Sequence, residues 1–192
     1  MSKQAALLKN ILEAALMAAD HPLSIDRLQG VFNDQWLPTK AEIRTALKTL
    51  QQDYSDRGVE LNEVASGFRF QARSETAEWV SRLWEERPPR YSRALMETLA
   101  LIAYRQPITR AEIEDVRGVA VSSNIVKTLL EREWVQVIGH RDVPGKPALY
   151  ATTREFLDYF NLKSLDQLPT LMEIRDLESI GAELQMQLPE QQ

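Results

Sequence analysis

Side chains able to do chemistry are scarce in this sequence. The 192 residues include no cysteine and only two histidines, His21 and His140, far apart in the chain. This excludes disulfides, thiolate metal ligands and a cysteine nucleophile, and leaves a structural zinc site without its ligands. The 7 glycines form no Gly-x-Gly-x-x-Gly run, and Gly145-Lys146 is followed by Pro147 rather than by the hydroxyl residue of a phosphate loop. No serine sits in a nucleophile elbow. Glu112, Glu114 and Asp115 crowd one short helical stretch, which reads as a solvated polar face rather than a metal site. His140 reads as a surface loop residue. No catalytic, cofactor or metal site is expected, and the chain reads as a binding protein, not an enzyme.

The chemistry left is that of surfaces. Hydrophobic residues make up 44% and charged residues 27% of the chain, a globular balance, and the net charge is −5. Residues 1–86 hold 10 basic and 13 acidic side chains, residues 87–161 hold 11 and 9, and residues 162–192 hold 2 and 6. The middle is thus mildly basic and the tail acidic, with no overall basic footprint for nucleic acid. Lys9, Asn10 and Glu13 interrupt the first apolar stretch, so no signal peptide is expected. No apolar run approaches the roughly 20 residues of a membrane span, and the cytoplasm is the expected compartment.

The elements that must position these surfaces come twice. Ile11, Leu12, Ala15, Leu16 and Ala19 recur at helical spacing, followed by His21-Pro22-Leu23-Ser24 and a short helix to Phe32. Leu95, Leu99 and Ile102 form a second stripe, followed by Gln106-Pro107-Ile108-Thr109 and a short helix to Val116. Ser24 and Thr109 are the expected N-caps, and Thr39 with Glu42 and Thr109 with Glu112 fit capping boxes. Each half then has a third helix containing Lys-Thr-Leu, at 48–50 and 127–129, and a hairpin pattern. The first hairpin pairs 59–64 with 68–72, and the second pairs 135–138 with 148–151. Three helices and a hairpin make a winged helix. The expected fold is mostly α with small β-hairpins, an α+β chain of tandem winged-helix domains plus a C-terminal tail. Further helices over 75–83 and 153–160 are expected to pack back, with Trp79 and Phe156 in the cores. A break at Arg87-Pro88-Pro89-Arg90 marks a linker. The expected division is 1–86, linker 87–91, 92–161, and an acidic tail 162–192 that is partly helical or flexible. Leu171, Ile174, Leu177, Ile180 and Leu184 are spaced for a helix there.

Winged helices often bind DNA through the third helix and the wing. Lys40, Arg44 and Lys48 lie on the first such helix, interleaved with Glu42 and followed by Asp53 and Asp56. Lys127 and Arg132 on the second are accompanied by Glu131 and Glu133, and the wing offers Arg141 and Lys146 against Asp142. Neither face is a clear basic stripe, and DNA contact is expected to be weak or indirect, through Arg141 and Lys146. Trp36, Trp84 and Tyr91 near element ends fit a protein interface, with closure of small cores as the alternative.

From Ser92 onward the wording is more specific. Residues 92–113, including Tyr104-Arg105-Gln106-Pro107-Ile108-Thr109, with Arg117-Gly118-Val119, 127–132, Arg141-Asp142-Val143-Pro144-Gly145-Lys146-Pro147, 153–160 and Ser164-Leu165-Asp166-Gln167-Leu168-Pro169, resemble the segregation and condensation protein B (ScpB) family. Residues 1–86 match in layout more than in wording. The resemblance implies a non-enzymatic accessory subunit of the bacterial SMC complex. It would form a homodimer through the first domain and bind the kleisin ScpA through the second. The SMC ATPase would be reached through the complex, which acts in chromosome condensation and segregation at the nucleoid. The alternative is a winged-helix transcriptional regulator. Partner-binding residues are expected at Tyr104, Arg105, Leu99 and Ile102, and a dimer seam near Leu12 and Leu16. For Tyr104 and Arg105 two readings stand: a structural hydrogen-bond pair or a partner anchor. The sequence departs from the family at Glu133-Trp134, where a glycine and an aliphatic residue are usual, and over Val119–Asn124.

Overall fold

The structure is a computed structural model that describes residues 3–33, 35–83 and 91–169. The linker residues 87–90, Trp84 and the tail stripe from Leu171 to Leu184 lie outside the described residues.

The first stripe forms α1 (Lys3–Ala18), whose Leu8, Leu12 and Leu16 are buried at i, i+4, i+8. They pack on α3 (Lys40–Asp53), which buries Ile43, Ala46, Leu47 and Leu50. Between them lies α2 (Ile25–Gln29), started by Ser24, whose hydroxyl accepts from the Arg27 N–H. The Thr39/Glu42 capping box is formed in full at the start of α3. The strands β1 (Val59–Val64) and β2 (Gly67–Ala72) make the hairpin, with Val64 opposite Gly67 and a two-residue tip, Ala65-Ser66. Leu23 adds a one-residue bridge to Phe68.

The second half repeats this plan. It runs through α5 (Arg93–Arg105), β3 (Ile108–Thr109), α6 (Arg110–Arg117), α7 (Ser123–Glu131), β4 (Val135–His140), β5 (Ala148–Thr152) and α8 (Arg154–Tyr159), with α4 (Ala77–Val80) falling between the halves. The sheet order is β3-β5-β4, all antiparallel, with a bulge at Ile138. The residue after Pro22 and the residue after Pro107 thus play one part: each leaves a proline, pairs with the second hairpin strand, and leads into an N-cap. Thr109 and Glu112 form the second capping box, and Gly118 ends α6 in the left-handed conformation at φ 69°. A second core gathers Leu95, Leu99, Ile102, Ile113, Val121, Leu129, Trp134 and Phe156. Burying each such side chain contributes about 1.5–3 kcal/mol.

Two expectations change. The segment 74–83 is a short 3-10 turn, the four-residue α4 and another 3-10 turn, not one packed helix. Trp79 is 63% exposed and Leu83 more so, so Trp79 is not a core residue. Four residues of α-helix cannot present a continuous apolar stripe. Phe156, by contrast, is buried as expected.

The departure at Glu133-Trp134 keeps the turn and alters its cost. Glu133 takes a left-handed backbone at φ 56°, and Trp134 is buried against Tyr91, Tyr159 and Phe160. A side chain there is strained by about 1–2 kcal/mol, partly offset by the lower unfolded-state entropy of a non-glycine residue. Glu133→Gly is therefore expected to stabilise the protein by about 0.5–1 kcal/mol, read as a higher denaturation midpoint. A midpoint that falls would mean that this backbone carries no strain.

Candidate functional site

The partner-binding candidates divide between surface and interior. α5 points Leu99 and Ile102 into the second core, where they are 2% and 1% exposed. They cannot touch a partner while the domain is folded, which corrects their place among contact residues. Arg105 is exposed at the C-terminal end of α5, where the helix dipole favours a cation. Tyr104 is half-buried and its hydroxyl donates to the carbonyl of Pro169. Leu162 and Leu168 pack on the second core, so the start of the tail, through Pro169, lies along this domain. This gives the Tyr104 hydroxyl a structural partner at the start of the tail. Arg105 stands exposed beside a shallow depression lined by Pro107, Glu112, Asp115 and Arg141.

The seam candidates are interior as well. Leu12 and Leu16 lie in the first core against α3, correcting the expected seam. The apolar excess of α1 instead shows on its outer face, where Leu7, Ala14 and Met17 are exposed at i, i+7, i+10. Between α1 and α3 runs an apolar groove of about 420 Å³ lined by Leu8, Trp36, Pro38, Ala46 and Thr49. Trp36 borders it and meets Phe32 edge-on at 5.3 Å.

The second wing holds the DNA candidates. Arg141 Nη2 lies 2.8 Å from Glu112 Oε1 and 3.0 Å from Oε2. Glu112 Oε2 also accepts from the Thr109 N–H at 2.8 Å and its hydroxyl at 3.0 Å. The Arg141 charge is thus answered within the domain. Lys146 is exposed at the wing tip beside Gly145. Glu114 of the same stretch is occupied too, accepting from Arg110 and from the Val121 N–H. Among the described residues no group of acidic or histidine side chains is placed to hold a metal ion.

The Thr109 N–H and hydroxyl, then Arg141, hold the Glu112 carboxyl below the usual 4.5 of a glutamate, and Thr39 does the same for Glu42. A carboxyl with a depressed folded value stabilises the fold above its ordinary pKa. That contribution disappears as pH falls through the lower, folded value. Stability is therefore expected to decline on acidification below 4.5, and Glu112→Gln should flatten that decline. Denaturant midpoints across this range check it. An unchanged slope in the variant would remove Glu112 from the account.

A contact absent from the sequence reading joins the two halves. The tip of the first hairpin rests on α8: the Ser66 N–H donates to Asp158 Oδ1 at 3.0 Å, and the Arg69 guanidinium to the Asp158 carbonyl at 2.8 Å. The Ala65 N–H donates to the Leu162 carbonyl at 3.0 Å, and Lys163 pairs with Glu63. Asp158 is 5% exposed. Beside it opens a polar cleft of about 660 Å³, bordered by His21, Arg69, Arg132, Trp134 and Tyr159. The first wing, which in a DNA reader would be free, is here a docking element.

Two winged-helix units joined wing to helix define a tandem winged-helix protein. The family model described as "Segregation and condensation complex subunit ScpB" matches residues 10–171, and the chain belongs to that family. It is 60% identical over 180 residues to the segregation and condensation protein B homolog of Coxiella burnetii, covering 94% of this chain and 86% of that one. It is 45% identical over 172 residues to segregation and condensation protein B of Syntrophotalea carbinolica, covering 88% and 85%. Among solved structures it is similar to ScpB from Mycobacterium tuberculosis, at 32% identity and TM-score 0.39, covering 84% of this chain and 99% of that one. It is also similar to a dimer of the ScpB N-terminal domain complexed with ScpA peptide, at 27% identity and TM-score 0.38, covering 46% and 100%. Among the described residues no helix is long and apolar enough to cross a membrane.

Proposed function

We propose that this chain is a non-enzymatic, cytoplasmic adaptor of a chromosome condensation and segregation complex, binding a kleisin of the ScpA kind and through it an SMC ATPase at the nucleoid. The family match over residues 10–171 carries this reading. Residues 1–86 form the dimerising domain, with the exposed Leu7, Ala14 and Met17 of α1 as the contact face. Residues 87–91 link it to the kleisin-binding domain, 92–161, with Arg105 as the exposed anchor. Residues 162–192 follow as an acidic tail. The action is stoichiometric. A dimer presents two second domains to one extended partner, and the first contact raises the local concentration for the second. Each interface of ordinary size would bury on the order of 1,600 Å².

The test is capture of partners by the tagged full chain from nuclease-treated cell extract at moderate and high salt, identified by mass spectrometry. Recovery of a kleisin and an SMC ATPase at both salts is the expected result, because apolar contacts survive salt. Nucleic acid alone, lost at high salt, would replace this reading with the DNA-binding regulator.

A further inference from the structure

We propose that the exposed face of α3 is a weak, sequence-independent binding site for the phosphate backbone of duplex DNA, distinct from the protein contacts above. Lys40, Arg44 and Lys48 stand exposed at i, i+4, i+8, a row of cations about 12 Å long at 1.5 Å per residue. In sequence, Glu42 and Asp53 offset this row; in the structure neither carboxylate pairs with Arg44 or Lys48. The Glu42 carboxylate turns back to the Thr39 N–H and hydroxyl as the cap of α3. Asp53 is taken by Lys9 of α1. Asp26 pairs with Lys40. Arg44 and Lys48 are left with no ion pair among the described residues, side by side on the third helix of a winged helix, the helix that meets DNA in such folds.

The equivalent face of the second domain is spent. Lys127 pairs with Glu131 at 3.5 Å, and Arg132 lies over the Tyr91 and Trp134 rings at 4.8 and 5.6 Å. Arg141 is held by Glu112. The site therefore belongs to the first domain rather than to the second wing. Its own wing tip is bound to α8, so no wing reaches a second phosphate row or the minor groove. Helix cations without a wing give attraction to phosphates and no reading of bases. The overall charge of −5 keeps that attraction weak.

Fluorescence anisotropy of the full-length protein with a labelled duplex of mixed sequence tests this. Neutralising two to three phosphates predicts about a 10- to 40-fold loss of affinity between 50 and 200 mM salt. Arg44→Glu with Lys48→Glu should weaken binding at least about tenfold at low salt. Arg141→Glu with Lys146→Glu should leave it within about twofold. Arg44→Gln with Lys48→Gln gives the same loss with less perturbation, and an unchanged circular dichroism spectrum keeps the comparison to folded protein. Capture of protein partners should be unaffected by the α3 variants, which separates this result from the adaptor reading. The proposal is overturned if the protein fails to bind duplex at low salt, if the wing variant rather than the α3 variant loses binding, or if polyglutamate competes as well as DNA at equal charge. The last outcome would make the row a site for an acidic protein segment.

Discussion

Gly67→Ala is expected to collapse the first domain while the corresponding change at Gly139 is tolerated. Gly67 begins β2 at φ 145°, where an L side chain is strained before any contact is considered. A Cβ built there would lie 2.3 Å from both the carbonyl carbon and the oxygen of Leu23, and 2.5 Å from the Ser24 nitrogen. These are backbone atoms, and they are fixed on both sides. Leu23 and Phe68 exchange hydrogen bonds of 2.9 Å in each direction, and Ser24 caps α2. Relief would need the Leu23 bridge to open, and with it the tie between α2 and the hairpin. The cost is expected to exceed about 4 kcal/mol, a large share of the total stability of a domain. Thermal unfolding should show the melting temperature down by about 10 °C or more. At Gly139 nothing lies within 4 Å of the added methyl, so Gly139→Ala should cost less than about 1 kcal/mol. Equal melting temperatures for the two variants would contradict the close approach at Leu23.

Much of this architecture was legible from local signals. The caps at Ser24, Thr39 and Thr109 announce helix starts through side-chain oxygens close in sequence to the N–H groups they accept from, so a few residues suffice to see them. The paired prolines, Pro22 and Pro107, marked equivalent places in two copies. Family wording over Ser92–Pro169 then tied the second copy to ScpB, and the family match spans both. The weaker readings share one cause. Periodicity shows that a helix has an apolar face but not whether a partner or the rest of the chain covers it. Leu12, Leu16, Leu99 and Ile102 satisfy the same spacing as interface residues and are core. Trp79 has the composition of a core residue, but its segment is too broken to bury it. The Arg141–Glu112 pair is not legible locally because its members are 29 positions apart in the chain.

The least legible feature carries the second large effect. Asp158 lies in an amphipathic helix among Phe156, Tyr159 and Phe160, and nothing near it in sequence calls for a buried carboxylate. Its acceptor role is set by the Ser66 N–H, 92 positions earlier. A charged acceptor to a part-buried backbone donor is worth about 1.5–3 kcal/mol, much of it the cost of leaving the donor unpaired. Asp158→Ala is therefore expected to destabilise the joined pair of domains by about 2 kcal/mol. It should also loosen their relative placement, because the Ala65–Leu162 and Arg69–Asp158 backbone contacts depend on the same seating. Asp158→Asn keeps an oxygen toward Ser66 and should lose about half as much. Glu63→Gln removes only the surface pair with Lys163 and should cost under about 1 kcal/mol. Denaturant unfolding gives the energies, and small-angle scattering gives the spread of interdomain distances. Scattering that is unchanged in Asp158→Ala, with stability within about 0.5 kcal/mol of the parent, would mean the domains are held without this carboxylate. A broader distance distribution with both cores intact would identify Asp158 as the latch between them. It would also explain why both backbone N–H groups of the Ala65-Ser66 tip have acceptors: the tip is seated on another domain, where each backbone donor must be met.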